Sequence, residues 1–120
     1  MKIAITSTGT ALNSQVDPRF GRAPFFILFD TETGEFRAED NSQNLESAQG
    51  AGIQAAQAVS RLGAEYLLTG HCGPNAFRTL TAAGIKIVVS VEGTIQEAVD
   101  RFKAGGLTPA DTADVDQHWV

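Results

Sequence analysis

Apolar residues recur along this chain in blocks whose period shifts between two and about four, and the shifts mark out its elements. Lys2-Ile3-Ala4-Ile5-Thr6 is strand-like, and a polar loop rich in Ser, Thr, Gly and Asn follows from residue 7 to about residue 18. Residues 24–30, with Phe25-Phe26-Ile27-Leu28-Phe29 in succession, have the nearly continuous apolar pattern of a strand covered on both faces and therefore central in a sheet. Thr31-Glu32-Thr33-Gly34 predicts a turn, and residues 35–40 the returning strand of a hairpin. After a polar stretch over 41–49 the period becomes helical. Ile53, Ala56, Val59 and Leu62 mark the buried face of a helix over 51–62 that Gly63 stops. Residues 65–69 carry a strand built on Tyr66-Leu67-Leu68. Ala76, Phe77, Leu80 and Ala83 predict a helix to about residue 83, stopped by Gly84, and residues 85–91 predict another buried strand. Ile95, Ala98, Val99 and Phe102 predict a last helix, capped by Thr94 and ended by Gly105-Gly106.

The order is thus βββαβαβα, an α/β class with a mixed five-stranded sheet and three helices, the later strands paired in parallel by right-handed crossovers. Residues 1–106 form one domain. Residues 107–120 predict a flexible, acidic C-terminal tail, with docking of Trp119 as the alternative, and no internal repeat is evident.

A chain of 120 residues buries roughly two thirds of its unfolded surface in a single core. One cysteine permits no internal disulfide, which fits a reducing cytoplasm. No signal-peptide pattern precedes the first strand. The longest apolar run, residues 23–29, falls far short of the roughly 20 residues of a membrane span, so membrane insertion is not expected. The net charge of −5 argues against a general nucleic-acid binder. The charge is uneven, however. Acidic residues gather around the hairpin and at Asp111, Asp114 and Asp116, while Arg19, Arg22 and Arg78 lie at proposed loops and helix starts and leave room for a local positive site.

Thr69-Gly70-His71-Cys72-Gly73-Pro74-Asn75-Ala76 places the sole cysteine beside one of two histidines where a strand gives way to a helix, the position of ligand crevices in open α/β sheets. Pro74 suits the first helical position, Gly70 and Gly73 permit close approach to a ligand, and the helix start offers N–H groups to an anion. A thiol there is expected to have a lowered pKa and to suit soft metals. The alternative reading makes Cys72 a small loop residue and His71 its hydrogen-bonded neighbour. With no C-x-x-C or H-x-x-x-H pattern, a structural zinc site is excluded. A second constellation, Val16-Asp17-Pro18-Arg19-Phe20-Gly21-Arg22-Ala23-Pro24, reads as an anion clamp of two arginines around a glycine with an exposed Phe20. Its alternative is structural, with Asp17 pairing Arg19 or Arg22 and Phe20 covering a sheet edge.

Asp17-Pro18-Arg19-Phe20-Gly21-Arg22 before an aromatic-rich strand, then Gly70-x-x-Gly73-Pro74-Asn75-Ala76-Phe77 and Gly84-Ile85-x-Ile87, strongly resemble the dinitrogenase iron-molybdenum cofactor biosynthesis family over about residues 1–105. The short single domain is most similar to its stand-alone orange-protein branch. The resemblance implies a ribonuclease H-like fold and binding of a molybdenum-copper sulfide cluster or a related molybdenum/iron-sulfur cluster. It also implies cofactor-binding roles for the loops bearing Arg19, Phe20, Gly21 and Arg22 and Gly70, His71, Cys72, Gly73, Pro74 and Asn75. His71 and Cys72 fall at variable positions of that motif, so they are metal-ligand candidates on chemical grounds only: thiolate or imidazole can touch copper while arginines and amides neutralise the anion.

Four classes follow. A two-metal nuclease needs clustered carboxylates that the first strand lacks. A cysteine hydrolase would use Cys72 as nucleophile but has only His71 or His118 as base. A regulatory or scaffolding module would act through partners. The favoured expectation is a non-enzymatic, cytoplasmic protein that binds, stores or delivers an anionic molybdenum-containing metal-sulfur cluster, with protein partners in delivery or in a larger complex, and with no nucleic acid or membrane.

Overall fold

The computed structural model describes residues 1–42 and 50–114. Its elements are β1 (Lys2–Ser7), a one-turn 3-10 helix (Phe20–Arg22), β2 (Phe25–Asp30), β3 (Phe36–Asp40), α1 (Ala51–Arg61), β4 (Tyr66–Leu68), α2 (Pro74–Ala82), β5 (Lys86–Val88) and α3 (Ile95–Lys103). The expected order of strands and helices holds. The expectations placed on 43–49, His118 and Trp119 lie outside the described residues.

The five strands form one mixed sheet in the order β3-β2-β1-β4-β5, with β2 antiparallel to both neighbours and β4 and β5 parallel to β1. The apolar strand β2 is therefore interior, but the middle position belongs to β1. Alternation along β1 sorts the core into two layers. Ala4 faces a cluster with Phe20, Phe26, Val59, Leu67, Leu80 and the alanines of α1 and α2. Ile3 and Ile5 face a second cluster with Ile27, Leu68, Val88 and the Ile95, Ala98 and Val99 face of α3. Each of these isoleucines is fully buried, worth about 1.5–3 kcal/mol relative to exposure.

Three details depart from the periodicity. The core face of α1 is Ala51, Gly52, Ala55, Ala56 and Val59 rather than one containing Ile53, because small side chains let the helix sit close to Phe20 and the sheet. Ala83 is exposed, although the helical spacing placed it on the buried face. β5 ends at Val88 because Ser90, at φ 62°, turns the chain towards α3, while its N–H and that of Val91 still donate to the carbonyls of Gly70 and Thr69 at 2.7 and 3.0 Å. No helix among the described residues is long and apolar enough to cross a membrane.

Beyond α3 the chain does not leave the domain at once. Leu107 packs on the α3-side core, and the Ala110 N–H donates to the Ile87 carbonyl at 2.7 Å. Residues 107–114 of the expected flexible tail thus pass along the outer edge of β5.

Candidate functional site

The carboxyl ends of β1 and β4, adjacent and parallel, carry Thr6 and Thr69, both fully buried. The Thr6 hydroxyl oxygen lies 2.8 Å from the Asp17 carbonyl and 2.9 Å from the Thr69 hydroxyl. A carbonyl only accepts, so Thr6 gives its single proton to Asp17 and receives one from Thr69. This chain of hydroxyls pins the loop after β1 to the sheet end. The Asp17 carboxylate then accepts the Arg19 N–H at 3.0 Å, an Asx turn that aims the arginine segment. Asp17 therefore orders the backbone of this loop.

The two glycine-bearing loops meet. Arg19 bridges His71 in parallel, with the Phe20 N–H donating to the His71 carbonyl at 3.1 Å. Gly70 makes the approach feasible: a Cβ there would lie 2.6 Å from both Cα and the carbonyl oxygen of Pro18. The smallness of Gly70 thus serves loop-loop contact, where the sequence suggested contact with a ligand. Phe20 is not the exposed loop aromatic expected; it is fully buried, its ring centroid 5.7 Å from that of Phe26, and with buried Gly21 it anchors the turn that displays Arg19 and Arg22 at the surface.

Pro74 opens α2 as expected, and Gly73 in the capping position supplies no side-chain cap. The helix start is instead met by Asp114, which the sequence reading did not place at the site. Its Oδ1 accepts the Cys72 N–H at 2.9 Å and its Oδ2 lies 2.8 Å from His71 Nδ1. Arg78, one turn into α2, donates to the Asn75 side chain and adds a third arginine to this rim. Nothing in local periodicity could reveal Asp114, which is more than 40 residues from the loop it touches.

Cys72 corrects the chemical expectation. Its thiol lies inside the core cluster with Ala76 and Leu80, fully buried. Burial first, and the Asp114 charge second, push its pKa up to about 12, opposite to the expected lowering. Desolvation of the thiolate outweighs the helix dipole. The thiol is thus buried and protonated rather than presented as an exposed thiolate, and what Cys72 offers to the rim is its amide. Among the described residues no three His, Cys, Asp or Glu side chains gather to hold a metal ion. Arginines and helix-start amides suit an anion that brings its own ligands.

Fold and site together define a known class: residues 1–105 match the dinitrogenase iron-molybdenum cofactor family, and the chain belongs to it. That membership ties it to metal-cluster binding or cofactor biosynthesis. The apo form of the orange protein from Desulfovibrio gigas superposes with a TM-score of 0.92 at 43% identity, over 95% of this chain and 96% of that one. A Thermotoga protein described as a NifB candidate of the DUF35 family is 40% identical, with a TM-score of 0.79 over 95% of this chain and 98% of its own. An uncharacterised protein of Methanocaldococcus jannaschii is 26% identical over 109 residues, 89% of each chain.

Proposed function

We propose that the rim formed by Arg19, Phe20, Gly21 and Arg22 with Gly70, His71, Cys72, Gly73, Pro74 and Asn75 captures an anionic molybdenum-containing metal-sulfur cluster, a molybdenum-copper sulfide in particular, for storage or delivery. The observation that carries this reading is the backbone bridge between Arg19 and His71, which brings an arginine turn against the start of α2, where the capping residue Gly73 has no side chain to offer. The cluster supplies its own sulfides. The chain supplies charge neutralisation from Arg19 and Arg22, amide donors from Cys72, Gly73 and Asn75, and, among the described residues, the His71 imidazole as a soft-metal contact at the rim. Phe20, Gly21 and Pro74 hold the two turns in place.

Such cargo handling is binding without bond making, so the protein is read as a carrier and not an enzyme, acting in the cytoplasm with a protein partner in delivery. The strand order β3-β2-β1-β4-β5, with β2 alone reversed, supports the ribonuclease H-like assignment within the α/β class.

The test mixes the purified protein with tetrathiomolybdate and copper(I) and follows the charge-transfer absorption through gel filtration. Absorption is expected to comigrate with the wild type and with Cys72→Ser, and to be lost from Arg19→Ala and Arg22→Ala. Absorption confined to the small-molecule fraction sinks the proposal, and loss on Cys72→Ser alone replaces charge capture with a thiolate bond.

A further inference from the structure

The amide of Cys72, at the centre of the proposed rim, is already engaged by an anion belonging to the chain itself. The Asp114 carboxylate spans the Cys72 N–H and His71 Nδ1 at 2.9 and 2.8 Å, with its side chain 24% exposed. The segment that delivers it is anchored independently of the rim. After α3, Leu107 packs on the core layer of that helix and Ala110 bonds to Ile87 on the outer strand β5, so the chain rounds the sheet edge from the α3 face to the start of α2. Among the described residues, Ala110 is the last with a backbone bond to the sheet, so the stretch from 111 to 114 is the part whose movement vacates the amide. Asp111 and Asp114 add negative charge to this segment and none of its described residues is basic.

We propose that residues 107–114 form a built-in strap whose Asp114 carboxylate occupies the anion seat and competes with the incoming anionic cluster. The inference rests on the reading of the rim as an anion site and adds its regulation. A tethered carboxylate acts at an effective concentration on the order of millimolar. It therefore rejects weakly held oxyanions and yields to a multiply charged cluster that engages the arginines and several amides at once. The apparent affinity for cargo is reduced by the fraction of time the strap is closed. A delivery partner that draws the acidic strap onto its own surface would raise loading without touching the rim.

The experiment compares full-length wild type and Asp114→Ala by titration with tetrathiomolybdate alone, alongside the amide resonance of Cys72 in 15N-1H spectra. In the wild type this resonance is expected at the low field of a carboxylate-bonded amide, moving on titration. In Asp114→Ala it starts upfield, and the dissociation constant falls roughly tenfold, the loss of one charge-assisted competitor. Asp114→Asn, which keeps an acceptor oxygen without the charge, is expected to fall between the two. Equal or weaker binding by Asp114→Ala, with wild type binding, overturns the strap and leaves the cluster reading standing. Binding by neither protein overturns the cluster reading and the strap with it.

Discussion

Gly70 shows how one absent side chain sets the geometry of the rim. The Pro18 backbone occupies the space where a Cβ would stand, 2.6 Å from two of its atoms, and backbone cannot swing aside as a flexible side chain can. Gly70→Ala is therefore expected to cost about 1–3 kcal/mol, the range of overpacking, seen as a lower urea midpoint at unchanged slope. It should also weaken tetrathiomolybdate capture, because Pro18 precedes Arg19 and moves it. A glycine needed for close approach was legible in the sequence; the identity of the group approaching was not, since Pro18 is 52 positions away. Phe20 and Cys72 failed for a related reason. Burial depends on what packs over a side chain, and α1 and α2 cover both.

At the scale of elements, α3 agrees with its sequence at every level. Thr94 accepts the Glu97 N–H at 3.1 Å and the Glu97 carboxylate accepts the Thr94 N–H at 2.8 Å, a complete capping box. Thr94→Ala is expected to lower stability by about 1 kcal/mol in denaturant titration. The backbone bond from Thr94, then its hydroxyl, hold the Glu97 pKa below its ordinary 4.5. With the folded value depressed, the stabilisation is present above 4.5 and is lost as pH falls through the lowered folded value. Thermal melts of wild type and Glu97→Gln should accordingly differ at neutral pH and converge in acid; a gap that persists in acid would refute the assignment. α1 and β5 were less legible. An alanine-rich face carries little hydrophobic contrast, and the end of β5 is set by Ser90 turning towards the opposite face of the sheet.

For the molecule as a whole, Cys72 is a reporter of global opening. It lies between the sheet and α2, and its thiol is pushed up to about 12, so thiolate is scarce at neutral pH and access requires the core to part. Labelling by a thiol reagent should be slow in native protein and fast in urea, with a rate that follows the global unfolding free energy; rapid native labelling would show that the loop opens locally. The sequence by itself determined the order of strands and helices, the α/β class, Pro74 at the head of α2, the cap of α3 and the two glycine-bearing motifs. These are set by contacts within a few residues, by period and by backbone stereochemistry. Tertiary structure alone decided that the Cys72 thiol turns into the core, that Pro18 rests on Gly70, and that Asp114 returns to the start of α2. Each depends on segments distant in the chain sharing one rim, and local pattern carries no information about which distant groups will meet there.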